Sequence, residues 1–186
     1  MILMAQPSGH LLKTFAAVPV TNRVLDLGGG HRCHAGPLAL LGFDLHACAV
    51  GPGTVAALRE AFTGITGADE AQQRIVQVPR LDALGYPDAF FDWIVAYDVY
   101  SANSAAPTLP DALAETRRVL KPGGWIYVAV PVQDGGENGA GFTPATLGQT
   151  MQQANFALAE EPEIRETGDR RLLEGIYRRG DAGTLV

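Results

Sequence analysis

Short apolar runs alternate with longer amphipathic stretches along this chain, and glycines or prolines separate many of them. Runs of four to six residues are too short for ordinary helices, and several are apolar at nearly every position, which is typical of strands buried on both faces. They predict strands at residues 23–27, 45–50, 75–78, 93–97, 125–130, 156–159 and 172–177.

The amphipathic stretches predict the helices between these strands. Helices are predicted at 11–17 with Ser8 as a cap, at 35–41 and at 110–120, and further helices begin at Thr54 and at Thr143-Pro144. Residues 64–73 are predicted as a polar connection and 79–92 as a loop. Alternating strands and helices favour a mostly parallel sheet with helices on both faces, and a ligand at the carboxyl ends of its strands.

The whole chain, 1–186, is predicted to be a single domain. It divides into an N-terminal helix and lid at 1–22, a core at 23–178 and a tail at 179–186. A chain of this length is long enough to bury a sizeable core.

The net charge of the chain limits the classes of partner that it can bind. A net charge of −6 and a pI of about 5.1 argue against binding to nucleic-acid phosphates or to an anionic membrane surface. Neither a signal peptide nor a membrane span is predicted. The two cysteines indicate no disulfide framework, so a cytoplasmic location is predicted. No oligomeric state is predicted.

The first predicted strand runs directly into Gly28, Gly29 and Gly30, and a short helix is predicted soon after. Strand, glycine turn and helix bring backbone N–H groups to a ligand at the helix N-terminus. Glycine suits the turn because the chain bends sharply and a Cβ would obstruct the ligand. A nicotinamide cofactor would be served equally well, so the turn alone predicts a ligand site without specifying the ligand.

Several segments resemble one family, the class I S-adenosylmethionine-dependent methyltransferases. Residues 24–30 (VLDLGGG) are similar to its motif I, 86–95 (YPDAFFDWIV) to its segment entering strand four, and 117–124 (RRVLKPGG) to its turn before strand five. Residues 142–144 and 154–156 resemble the start and end of its next helix. The resemblance implies a Rossmann-like, doubly wound, seven-stranded sheet, mostly parallel with an antiparallel edge strand, and helices on both faces.

The resemblance also implies S-adenosylmethionine as the cofactor and a small-molecule acceptor. A cofactor role is carried over to residues at the ends of the first and fourth strands: Asp26, Gly28, Gly29, Gly30, Tyr97 and Asp98. No catalytic base is assigned, because Ser101-Ala102 stands where the family often has Glu-His. Methyl transfer needs mainly positioning, with a base only where the nucleophile must lose a proton.

The chain departs from the family at three cofactor positions. The third glycine of the spaced pattern is Arg32, the ribose-binding acid at the end of strand two is Ala49, and the acid near adenine is Arg80. The candidate substitutes near adenine are Asp82 and Ala83. Each lost charged hydrogen bond is worth about 1.5–3 kcal/mol, so cofactor binding is predicted to be weak or lost. Ala49→Asp should strengthen it if the strand end is open to ligand.

Two function classes therefore stay open. One is a methyltransferase with an unusual site, and the other is a degenerate methyltransferase-like domain that serves as a binding or partner-interaction module. A nicotinamide dehydrogenase is a weaker alternative, because it also needs the acid after strand two and does not account for residues 120–124.

Histidines and cysteines gather in two neighbouring segments: His31, Cys33 and His34 in the turn, and His46 and Cys48 in the second strand. Thiolate and imidazole groups suit zinc. Their spacing matches no zinc-binding pattern, however, and cysteine is often simply buried. No metal site is predicted.

Overall fold

Seven strands form one sheet in this computed structural model, which describes residues 7–28, 34–100, 108–133, 141–167 and 170–180. The strands are β1 (Arg23–Leu27), β2 (Asp44–Ala49), β3 (Ile75–Gln77), β4 (Phe91–Tyr97), β5 (Leu120–Pro131), β6 (Phe156–Thr167) and β7 (Arg170–Arg179).

The described residues also form helices on both sides of this sheet. They are α1 (Gly9–Phe15), α2 (Ala35–Leu40), α3 (Pro52–Thr66), α4 (Ala68–Arg74), α5 (Leu109–Val119) and α6 (Pro144–Gln153). The predicted cap of α1 is confirmed, because Ser8 Oγ accepts a hydrogen bond from the Leu11 N–H at 3.3 Å. Within the described ranges, none of the helices is long and apolar enough to span a membrane.

The strand order is β3-β2-β1-β4-β5-β7-β6. β1 pairs in parallel with β2 and β4, whereas β7 pairs antiparallel with both β5 and β6. The predicted doubly wound fold and its antiparallel strand at 172–177 are confirmed. The antiparallel strand is not outermost, however, because β6 lies outside it.

The prediction of a polar connection at 64–73 is wrong. α3 continues to Thr66, and α4 follows directly after Gly67. Only Ala71 of α4 is buried, so this short helix shows almost no apolar pattern. Arg74 forms an ion pair with Asp44 that joins α4 to the start of β2, and a second with Glu70 one turn earlier in α4. α3 also begins earlier than predicted, at Pro52, with Gly51 rather than Thr54 as its N-cap.

Two apolar layers enclose the sheet. One packs α1, α2 and α3 against the first face, with Leu11, Phe15, Leu38 and Phe62 fully buried. The other packs α5 and α6 against the opposite face. Both faces of the central strands are therefore covered, which explains why these strands are apolar at nearly every position.

Candidate cofactor site

The carboxyl ends of β1 and β4 meet at the switch point of the sheet. β2 lies on one side of β1 and β4 on the other, so the chain leaves these two strands in opposite directions. Ligands of doubly wound sheets bind at such a crevice. Gly28 follows β1 here, and Asp98 follows β4.

Gly28 is required by the local backbone. Its φ is +90°, and a Cβ added to it would lie 2.2 Å from Val99 Cγ1. Its N–H donates to the Cys48 carbonyl at 2.8 Å, which fixes the end of β1 against β2. The turn thus needs glycine because the segment after β4 passes close by, in addition to any need of a ligand. The candidates Gly29 and Gly30, and Arg32, lie outside the described residues.

Asp26 is a buried carboxylate at this edge. It is 2% exposed, and the Ala35 N–H at the start of α2 donates to it. Its Oδ2 atom is also buried and has no hydrogen-bond partner among the described residues. Burial raises the pKa of Asp26 to about 7. A buried oxygen without a partner is costly, so this carboxylate is suited to receive a donor from a ligand.

Tyr97 and Asp98 complete the edge. Asp98 has a φ of +57°, a left-handed conformation that is uncommon for residues other than glycine. Its N–H donates to the Ala129 carbonyl at 2.8 Å. Tyr97 is buried, and its hydroxyl donates to Glu174 at 2.8 Å. The structure therefore brings Asp26, Gly28, Tyr97 and Asp98 to the ends of two adjacent strands.

Ala49 ends β2, as predicted, but its side chain is not open to ligand. The residue is 1% exposed and belongs to the apolar layer that contains α3. Its carbonyl accepts the Val78 N–H at 3.0 Å. The condition on which Ala49→Asp was expected to strengthen cofactor binding is not met, because a side chain added here would enter the apolar layer.

Arg80 and Asp82 bind each other at the predicted adenine position. Arg80 Nε and Nη2 donate to the two oxygens of Asp82 at 2.9 and 2.5 Å. The Ala83 N–H donates to the Arg80 carbonyl at 3.2 Å. The pair leaves Asp82 largely occupied as an acceptor, so an adenine amino group would have to compete with a guanidinium for it.

Of the histidines and cysteines assigned to no metal, the structure describes His34, His46 and Cys48. His46 packs its ring among Tyr86, Phe90 and Phe91, and burial lowers its pKa to about 4. Burial also raises the pKa of the Cys48 thiol to about 12. Across the described ranges, no three potential metal ligands come together. His31 and Cys33 lie outside those ranges.

Sequence reasoning missed Glu174. This residue of β7 is 1% exposed and accepts hydrogen bonds from Ser8, Tyr97 and Tyr127. A signal was present: Glu174 is the only charged residue in the apolar run 172–177. A single charge in a buried strand indicates a paired carboxylate.

A sequence profile described as "Methyltransferase domain" matches residues 25–128, which is more than half of the chain. The chain belongs to this methyltransferase family. The match covers the glycine turn, the end of β4 and the turn before strand five, and it confirms the predicted membership of the S-adenosylmethionine-dependent methyltransferases. A search of functionally curated proteins found no significant match.

Solved structures show the same fold. One is the 1,6-didemethyltoxoflavin-N1-methyltransferase of Burkholderia thailandensis with bound 1,6-didemethyltoxoflavin and S-adenosylhomocysteine; the TM-score is 0.70 at 19% identity, over 90% of this chain and 75% of that chain. An S-adenosylmethionine-dependent methyltransferase of Methanosarcina mazei has a TM-score of 0.70 at 17% identity, over 90% of this chain and 97% of that chain. The [4+2]-cyclase SpnF has a TM-score of 0.62 at 18% identity, over 92% of this chain and 81% of that chain.

Proposed function

We propose that this protein transfers a methyl group from S-adenosylmethionine to a small-molecule acceptor, and that Asp26 makes the main charged contact with the cofactor. The observation that carries the proposal is the Asp26 Oδ2 atom, which is buried beside the glycine turn without a hydrogen-bond partner. The α-ammonium group of S-adenosylmethionine is a cation with several N–H donors, which is the chemistry that such an oxygen lacks.

The other residues of the edge fit the same ligand. Gly28 follows β1 and Asp98 follows β4, so both lie at the edge where ligands of doubly wound sheets bind. The bound cofactor supplies an activated methyl group, so the protein needs chiefly to hold the acceptor in line with it. No residue is assigned as a base.

Cofactor binding is proposed to be weak. Ala49 offers no acceptor to the ribose hydroxyls and is buried, and Asp82 is already paired with Arg80. Loss of the ribose carboxylate alone corresponds to about 1.5–3 kcal/mol, or about ten- to a hundredfold in affinity. The affinity then depends mainly on Asp26 and on backbone contacts.

A small molecule is the proposed acceptor class. The Burkholderia neighbour, which holds 1,6-didemethyltoxoflavin in its crystal, supports this class. The net charge of −6 disfavours a nucleic-acid substrate. The alternative of a degenerate binding module gains no support from the comparisons, although the cyclase SpnF shows that this fold also carries other activities.

The affinity for S-adenosylhomocysteine, which carries the same α-ammonium, is expected to depend on pH through Asp26. The pKa of Asp26 is about 7 without ligand, and an ammonium contact would lower it, so the ligand binds the ionised carboxylate. Below pH 7 the affinity should fall about tenfold per pH unit, and above pH 8 it should be flat. The Cys48 thiol beside Asp26 stays neutral throughout this range. Calorimetric titration at pH 5.5, 6.5, 7.5 and 8.5 measures this profile.

Two variants serve as references for that titration. Asp26→Asn keeps an acceptor for the Ala35 N–H and should bind at least about tenfold more weakly at pH 8, with no dependence on pH. Asp88→Asn alters a carboxylate that is 80% exposed and should leave the profile unchanged. Equal affinity of Asp26→Asn and the unmodified protein would contradict the proposed role of Asp26.

A further inference from the structure

Four residues from four elements form a closed polar ring beneath the candidate site. The Ser8 N–H donates to His34 Nε2 at 3.3 Å, and the Ser8 hydroxyl donates to Glu174 at 3.1 Å. The Tyr97 hydroxyl donates to the other oxygen of Glu174 at 2.8 Å. The side chains of Tyr97 and His34 complete the ring by an aromatic contact, with their centroids 4.4 Å apart.

Burial of the Glu174 carboxylate at the centre of this ring costs free energy. Glu174 is 1% exposed, and its hydrogen bonds come from neutral hydroxyl groups, with Tyr127 as the third donor. Arg165 Nε lies 3.6 Å and His10 Nδ1 lies 3.7 Å from the Oε2 atom of Glu174. Apolar residues often stabilise such positions better than buried charges do. Stability alone therefore gives little reason for a glutamate here.

The position of the ring suggests a different role. His34 is the N-cap of α2 and immediately follows the segment 29–33 of the glycine turn. Tyr97 immediately precedes Asp98. The ring thus contacts the end of β4 through Tyr97 and the start of α2 through His34. Through Ser8 it also contacts α1, whose Leu11 and Phe15 are buried in the first apolar layer.

We propose that Glu174 is a positioning residue of the cofactor site, which couples cofactor binding at the two strand ends to the docking of α1. The two oxygens of Glu174 accept hydrogen bonds from Tyr97 and Ser8, so a shift of Tyr97 at the end of β4 is transmitted to the N-cap of α1. This inference rests on the proposed function, because it takes the cofactor to bind beside His34 and Tyr97.

The physical basis is the dependence of α1 on its neighbours. α1 has seven residues, too few to remain helical in isolation. Its helical state therefore depends on docking through the apolar layer and the ring. A ligand that fixes His34 and Tyr97 also fixes the ring, and by linkage α1 docking favours the ligand to the same extent.

The test is amide hydrogen exchange in α1 with and without S-adenosylhomocysteine, at ligand saturation established by calorimetry. The reporters are the Leu12 and Ala16 amides, which donate to the Ser8 and Leu12 carbonyls. In the unmodified protein the ligand should slow their exchange at least about fivefold, the lower end of usual coupling. Tyr97→Phe removes the hydroxyl that donates to Glu174, and Glu174→Gln leaves one acceptor oxygen in place of two, so in both variants the slowing should fall below about twofold.

The matched control is Thr14→Ala. The Thr14 hydroxyl donates to the His10 carbonyl inside α1 and does not touch the ring, so this variant should keep the full slowing. Thermal melting confirms that each variant is folded, and each is compared with its own unliganded state. A purely structural role of Glu174 would change the baseline exchange but not the response to ligand.

The outcomes separate the two claims. Absence of binding heat in the unmodified protein would overturn the proposed function, and the coupling with it. Binding heat without slowing in α1 would overturn the coupling alone. Slowing that persists in both Tyr97→Phe and Glu174→Gln would show that α1 responds by another route, and would remove Glu174 from the proposal.

Discussion

Gly28→Ala is expected to lower the free energy of unfolding by about 2–5 kcal/mol. Two effects add. A φ of +90° is unfavourable for alanine by about 1–2 kcal/mol. The new Cβ would also lie 2.2 Å from Val99 Cγ1, and overpacking of a tight contact costs about 1–3 kcal/mol. Urea denaturation of the two proteins measures the difference.

Two comparisons isolate these effects. Val99→Ala in the Gly28→Ala background should relieve the clash but not the backbone strain, so only part of the lost free energy of unfolding is regained. Gly148→Ala in α6 is the matched control, because its Cβ meets nothing within 4 Å, and it should stabilise the helix by about 0.5–1 kcal/mol. A loss below about 1 kcal/mol in Gly28→Ala would show that the turn readjusts easily.

Ala49→Asp is expected to destabilise the protein by about 3–5 kcal/mol at pH 7. The change places a carboxylate in an apolar layer at a residue that is 1% exposed. Burial would raise the pKa of the new carboxyl group, so the folded state would bind a proton more readily than the unfolded state. The destabilisation should therefore shrink as the pH falls towards 5.

The control for this prediction is Ala57→Asp, an exposed position on α3, which should change stability by less than about 0.5 kcal/mol. Thermal melting with S-adenosylhomocysteine adds a second measurement. A variant that is as stable as the unmodified protein, and that gains more from the ligand, would show that the end of β2 opens to the ribose.

The family motif was sufficient to locate most of the candidate site. The apolar run before the glycines predicted β1 with the bounds that the structure shows, Arg23–Leu27. Because parallel strands end at a common edge, the motif also placed Asp26 and Gly28 near Tyr97 and Asp98. These conclusions need only local pattern and the rule that carboxyl ends of parallel strands meet.

The tertiary structure decided which of these positions are open and which are paired. Ala49 has the expected place at the end of β2, but neighbouring helices bury it. α4 is joined to β2 by the ion pair of Arg74 with Asp44, which its sequence pattern did not reveal. β6 extends to Thr167, far beyond the predicted residue 159, because it pairs along the length of β7.

The ring around Glu174 shows the same distinction most clearly. By itself, the sequence determined that one acid interrupts the apolar run at 172–177, and that such an acid must find partners. It did not determine which partners, because Tyr97 is 77 residues away and Ser8 is 166 residues away. Apolar periodicity reports the environment of each segment, whereas a hydrogen bond between distant segments depends on how β4, β7 and the start of α1 pack together.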